Sequence, residues 1–217
     1  MRRARTLVKV LDGGTRVSPP SIALRLVISD VFTDLGLPAG FASWSQVTML
    51  HMYILTVRLR YFPAQYSSIW LQHLHDHFFY EAEHRMTIFH QITARGVRQK
   101  YLKDLYDQWR GVTGAYDEGL IRGDAVMAAA VWRNVFKGRE DVDWTKVALV
   151  VAFIRRGLRA LDKAQDRQIV GGLIRFASPM SEAALVEAKS EWMDKPFGAE
   201  DEEALANYLK ELAGTKR

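Results

Sequence analysis

All six histidines of this 217-residue chain fall between positions 51 and 90. Imidazole is a common metal ligand and the side chain whose charge changes nearest neutral pH, so chemistry is sought there first. On a helix, His73, His77, Glu81 and His84 stand at i, i+4, i+8 and i+11 and share one face. Glu81-Ala82-Glu83-His84 also holds a Glu-x-x-His pair, the spacing used by carboxylate-bridged di-iron bundles. Such centres need two of these pairs and two further glutamates, and no second Glu-x-x-His occurs in the chain. His–Glu faces also form on helices without metal, because protonated imidazole and carboxylate pair at i, i+4. The expectation is no bound metal and no cofactor. The rival reading is a helical metal-dependent enzyme built on His73, His77, Glu81 and His84.

Other catalytic chemistry lacks its parts. The chain has no cysteine, which excludes a disulfide framework, thiolate metal sites and a cysteine nucleophile. Gly13-Gly14 and Gly171-Gly172 lack the lysine and spacing of a phosphate-cradling loop. No Gly-x-Ser-x-Gly nucleophile elbow is present. Asp117 and Glu118 are adjacent, so on a helix they diverge, whereas paired acid–base work needs carboxylates that converge. A binding protein, not an enzyme, is expected.

The elements that would carry these residues are helical nearly throughout, with Gly and Pro falling between periodic segments. An all-α fold of about seven to eight helices follows. Ile22 to Leu35 makes a first helix, closed by Gly36 with Pro38 beyond. Ser43 caps a second that runs to about Tyr61, before Pro63. A third spans about Ser67 to Arg95, with Gly96 ending or bending it. A fourth spans about Val97 to Tyr116, and Gly119 and Gly123 bracket a short turn. A fifth, alanine-rich helix runs from its cap Asp124 to Phe136 and belongs in the middle of the fold, because alanine lets neighbours approach closely. Asp143 caps a sixth, Trp144 to about Gln165. Ser181-Glu182 starts a short seventh, and Ala199 to Leu212 forms an eighth. The expected organisation is a basic segment at 1–20, a helical domain at 21–176 and a peripheral helical tail at 177–217. No apolar run approaches the ~20 residues needed to cross a bilayer.

Several ordered motifs then stand out. Gly36-Leu37-Pro38 leads to Trp44 and to Gln46-Val47-Thr48-Met49-Leu50-His51-Met52-Tyr53, followed by Arg58-Leu59-Arg60. Asp76-His77-Phe78-Phe79 precedes Ala82-Glu83 and Arg85-Met86. Tyr101 to Leu105, Gln108-Trp109-Arg110-Gly111, Ala115 to Leu120 with Gly123-Asp124, and Ala128 to Phe136 complete the series. Over roughly residues 35–160 the chain resembles the ubiquinol–cytochrome c chaperone family, mitochondrial assembly factors for cytochrome b of respiratory complex III. The resemblance implies an assembly chaperone that acts by binding. Its implied client is newly made cytochrome b, its partner a small helical co-chaperone, and its neighbours the mitochondrial ribosome and the matrix side of the inner membrane. No DNA contact is expected.

Residue types suggest how such binding would be divided. Tyr53, Arg58, Arg60, Tyr61, Phe62, Trp70, Phe78 and Phe79 form an aromatic-basic set, the composition of interface hot spots, although aromatics also fill cores. Arg110, Asp117, Glu118, Asp124 and Arg133 could form a structural charge network across the 116–124 turn, with Arg133 paired to Asp117 or Glu118. The net charge of +5 is modest. The segment 144–176 carries Lys146, Arg155, Arg156, Arg159, Lys163, Arg167 and Arg175 against only Asp162 and Asp166. Arg155, Arg156 and Arg159 are therefore candidates for contact with RNA or anionic lipid. A plain RNA-binding helical domain is a third reading. The start, Met1-Arg2-Arg3-Ala4-Arg5, is basic without an acid until Asp12, a faint presequence pattern.

Overall fold

Phe41–Leu59 forms helix α1 and carries no charged side chain before Arg58. A helix apolar on every side must be buried on every side, and 15 of its 19 residues are. Three of its polar side chains turn back on their own backbone. Ser45 Oγ donates to the Ala42 carbonyl at 2.9 Å and Thr48 Oγ1 to the Trp44 carbonyl at 2.7 Å. His51 Nδ1 lies 2.7 Å from the Val47 carbonyl, which can only accept, so Nδ1 carries the proton. Ser43, the expected cap, is already inside the helix; Gly40 precedes it and no side chain caps it.

The computed structural model describes residues 34–189 and 198–214, and every helix and turn below belongs to them. The basic segment 1–20 lies outside the described residues, as does all but the helical Asp34-Leu35 end of the expected first helix. The chain divides into two compact units between Val186 and Glu187.

Helix α2, Ala64–Ile88, starts after Pro63 and returns antiparallel to α1. Trp44 stacks on Phe78 with ring centroids 5.7 Å apart, and Ser67 Oγ donates to the Leu59 carbonyl at 3.0 Å. The helix does not reach Arg95. It stops at Ile88, and Gln91 takes the left-handed region at φ 53°. Gly96, the expected breaker, lies in the first turn of α3, Arg95–Arg122.

Helix α3 runs antiparallel to α2, with His75 on Trp109 and Phe79 on Tyr106. It also passes straight through Gly119, where a turn was expected. The turn is Gly123 alone, at φ 105°. Gly119 serves a close crossing instead: a Cβ there would sit 2.7 Å from the Met127 Cα. Helix α4, Asp124–Asn134, thus packs hard against α3 and, on its other side, against α5. This fits the alanine-rich middle position expected of it. Asp124 is its first helical residue, not its cap.

Lys137 and Gly138, both left-handed, end the excursion after α4, and Trp132 Nε1 holds the loop through the Arg139 carbonyl at 2.7 Å. Helix α5, Trp144–Lys163, begins as expected at Asp143, whose carboxylate accepts from the Thr145 N–H at 2.9 Å. It lies parallel to α1. His51 meets Phe153, Ile54 fills the space above Gly157, and Arg58 reaches the carbonyls of Leu161 and Ala164 at 3.0 and 3.2 Å. Arg58 therefore caps the C-terminus of α5, and its bond to Asp166 at 2.6 Å secures the next short helix, α6, Asp166–Val170. That helix was not expected.

The chain then runs back along the core. Phe176 packs edge-on to His51 at 5.0 Å. Ser178 caps a 3₁₀ turn, Pro179–Glu182, which continues into α7, Ala183–Glu187. Ser178 Oγ donates to Asp34 at 2.7 Å, and Arg156 donates to the buried Glu182. The first unit thus continues past residue 176 to Val186. The second unit carries α8, Ala199–Gly214.

Candidate interaction surface

Most of the aromatic-basic set is interior. Tyr53, Phe62, Trp70 and Phe78 are buried, and Phe79 is half-buried against Phe78 and Tyr106. Arg58 is engaged as the α5 cap. The correction has a physical reason: α1 has neighbours on three sides, so aromatics that face it from α2 are enclosed between α1 and α3. Only Tyr61 stands free, 81% exposed. Arg60 is at the rim. Its Nη1 and the Tyr53 hydroxyl both donate to Asp117 Oδ1, at 2.8 and 3.0 Å. Burial first, then the Asp117 charge, holds the Tyr53 phenol well above its usual range, and the bond to Asp117 raises Arg60. Tyr116 packs edge-on to Tyr53 at 5.1 Å. Its buried hydroxyl has no hydrogen-bond partner among the described residues, and burial raises its pKa.

The charge network exists with different pairings. Asp117 faces α1 and takes Arg60. Glu118 pairs with Arg122 at 2.9 Å within α3. Asp124 pairs with Arg155 at 2.7 Å, and Arg155 also reaches the Gly119 carbonyl at 3.3 Å. Arg110 and Arg133 are exposed and form no ion pair with a described residue. The expected Asp117–Arg133 and Glu118–Arg133 bonds fail because α3 continues to Arg122, which aims both acids away from α4. Arg155 and Arg156 are committed to Asp124 and Glu182, so of the three basic candidates on α5 only Arg159 is exposed without an ion pair to a described residue.

The four residues of the metal alternative do not gather into one cluster. His73, His77 and His84 are exposed on the outer stripe of α2, and Glu81 accepts from Arg85 Nε at 2.8 Å. Among the described residues no three His, Asp or Glu side chains converge as a metal site. His75 faces inward and accepts the Trp109 indole N–H at 3.1 Å. Desolvation lowers its pKa, opposed by Asp76. Desolvation also lowers His51, opposed by its bond to Val47.

The hairpin α2–α3 also exposes apolar side chains among its polar ones. Ile69, Tyr80, Ile88, Phe89, Val97, Tyr101, Tyr106 and Ile121 are exposed, eight of the 14 large hydrophobic side chains exposed among the described residues. The bend between the helices concentrates them, with Phe89 66% and Ile88 58% exposed and Val97 and Tyr101 following. This bend is held rigid. Arg98 donates to the carbonyls of Ile92 and Thr93 at 3.1 and 2.5 Å and to Glu83 at 3.1 Å. The Arg85 guanidinium lies 4.5 Å over Trp44 and 5.7 Å from the Phe89 ring. A surface tied in place loses little entropy on binding, and exposed aromatic side chains are of the type that anchors interfaces. The sequence reading missed this surface. Its one signal was the pair Ile88-Phe89 beside the helix end, hidden when the helix was extended to Arg95.

Among the described residues no helix is long and apolar enough to cross a membrane. The chain is 38% identical over 148 residues to "Protein CBP3, mitochondrial" from Saccharomyces cerevisiae, covering 68% of this chain and 44% of the yeast protein. It is 26% identical over 148 residues to "Ubiquinol-cytochrome-c reductase complex assembly factor 1" from Xenopus laevis, covering 67% of this chain and 71% of that one. The human protein of the same name is 25% identical over 171 residues, covering 77% of this chain and 53% of its own length. The chain thus spans about half the length of the yeast and human relatives. The Cbp3 homolog from Brucella abortus, a crystal structure, shares the fold with a TM-score of 0.61 at 22% identity, over 80% of this chain and 97% of that one. The model of the ubiquinol-cytochrome C chaperone family matches residues 33–176. With two-thirds of its length matched in this way, the chain belongs to the ubiquinol-cytochrome C chaperone family.

Proposed function

We propose that the chain is an assembly chaperone of mitochondrial ubiquinol–cytochrome c reductase that holds newly made cytochrome b, works with a small helical partner protein, and acts peripherally on the matrix side of the inner membrane. The family match over 33–176 carries the reading. The relatives' printed names, complex III assembly factors and a mitochondrial protein, support it.

The physical role is binding. A membrane protein outside its bilayer exposes apolar helix faces, and the α2–α3 bend offers Ile88, Phe89, Val97 and Tyr101 to cover one of them. The aromatic and aliphatic groups supply apolar area without charge to desolvate. The small partner would occupy a separate part of the surface.

The test is affinity capture of the chain from mitochondria during ongoing synthesis of mitochondrially encoded proteins. Cytochrome b should be recovered with one small protein, and ribosomal proteins would place the capture at synthesis. Recovery of neither cytochrome b nor any complex III subunit overturns the reading.

A further inference from the structure

We propose that the loop 171–175 is a contact for an anionic lipid surface, with Leu173 entering the headgroup layer and Lys163, Arg167 and Arg175 holding lipid phosphates.

Leu173 is 75% exposed, although it belongs to a segment that otherwise packs on the core. Exposure alternates along that segment: Leu173 and Arg175 face out, Ile174 and Phe176 face in against the hydrophobic core. Period-two alternation puts Leu173 and Arg175 on one side of the chain. The tip is fixed by its backbone. Gly172 takes φ 65°, its N–H donates to Ile169 at 3.1 Å, and the Leu173 N–H donates to Gln168 at 2.9 Å. Leu173 therefore lies beside α6, which carries Arg167, one short step after Lys163 at the end of α5.

Charge around the tip is one-sided. Lys163, Arg167 and Arg175 are exposed, with Arg159 one turn before Lys163. Of the two acids in this stretch, Asp166 is neutralised by Arg58 at 2.6 Å, leaving Asp162. A single exposed leucine is ordinary. A leucine presented on a pinned loop tip among cations that pair with no described acid has the form of a peripheral membrane anchor, in which apolar burial and attraction to anionic headgroups add. RNA is disfavoured as occupant because single-stranded binding sites add aromatic platforms for base stacking, and the one aromatic of this stretch, Phe176, is buried. For its purpose the inference rests on the proposed work beside a membrane, but lipid binding itself is measured without reference to the client.

The experiment is flotation of the full chain with phosphatidylcholine vesicles made with and without phosphatidylglycerol. Binding should require the anionic lipid and weaken with salt. Each of Lys163→Glu, Arg167→Glu and Arg175→Glu should lower partitioning about fivefold or more. Leu173→Ala should lower it by about tenfold if its side chain enters the layer. All four positions are exposed, so thermal unfolding serves as the check that each variant is folded. Equal flotation of wild type and Leu173→Ala overturns the proposal, as does binding indifferent to lipid charge. Binding to a single-stranded RNA oligonucleotide that the Glu variants abolish and Leu173→Ala leaves intact, with no flotation, overturns it in favour of RNA. Cytochrome b capture by Leu173→Ala separates the two readings: intact capture with lost flotation keeps the chaperone function and assigns this loop to the membrane alone.

Discussion

Helix α1 and the α2–α3 hairpin are both rich in aromatic and aliphatic side chains, yet α1 exposes none of its large ones and the hairpin exposes eight. The difference is topological. Helix α1 is flanked by α2, α3 and α5, so all but its ends are covered. The hairpin covers α1 with one face, and among the described residues no third layer lies over the other. Stability is therefore concentrated in α1 and its neighbours, while the hairpin keeps apolar surface that is exposed and open to a partner. An apolar residue in the two places does different work, and substitution separates the two.

The largest expected effect lies in α1. Leu50 is 1% exposed at its centre. Leu50→Ala removes apolar contacts and leaves a cavity that three packed helices cannot readily close, costing about 3 kcal/mol. Urea unfolding followed by circular dichroism measures it. An exposed residue of the hairpin, Tyr80→Ala, should change stability by less than about 0.5 kcal/mol in the same assay. Equal losses at the two sites would break the comparison.

A second test uses the one histidine inside α1. His51 is enclosed by Phe153 and Phe176 with its Nδ1–H on Val47, and burial depresses its folded pKa below the unfolded value near 6.5. Below ~6.5 the unfolded chain takes up a proton that the folded chain refuses, so stability falls as pH falls, by up to about 1.4 kcal/mol per pH unit until the folded pKa is reached. His75, also depressed, adds to the same slope. Melting temperatures should therefore drop from neutral to mildly acidic pH, and His51→Leu should flatten the dependence. An unchanged slope in that variant would assign the effect elsewhere.

The sequence made some of this legible. Asp143 and the helix after it were readable because a side-chain cap and apolar periodicity are local. The family was readable because its motifs are strings. Gly119 was misread as a turn because its reason lies in Met127 on another helix. Gly96 was misread as a breaker because the break is made by Gln91, a residue without the glycine signature. Aromatic types near α1 and α2 were visible, but the side each faces was not. A helix buried all round has no apolar stripe to orient, and Tyr53 on α1 differs from Tyr80 on α2 only in what the fold places over it. Arg155 and Arg156 looked like free surface charge because Asp124 and Glu182 are distant in sequence.

The smallest expected effect on stability sharpens the comparison most. Ile88 and Phe89 lie at the α2–α3 bend, which is tied by the bonds of Arg98 to Glu83, Ile92 and Thr93, with the exposed Phe89 ring adding only its contact with the Arg85 guanidinium. Replacing both with serine removes exposed apolar area and leaves those bonds in place. Stability should shift by no more than about 0.5 kcal/mol per site. Recovery of cytochrome b in the capture assay should fall by about tenfold, since an anchoring aromatic–aliphatic pair at an interface carries a disproportionate share of its energy. Intact recovery would show that the client is held elsewhere. A large stability loss would show instead that the bend, like α1, is part of the core. Either outcome would erase the separation between the half of the molecule that folds it and the half left free to bind.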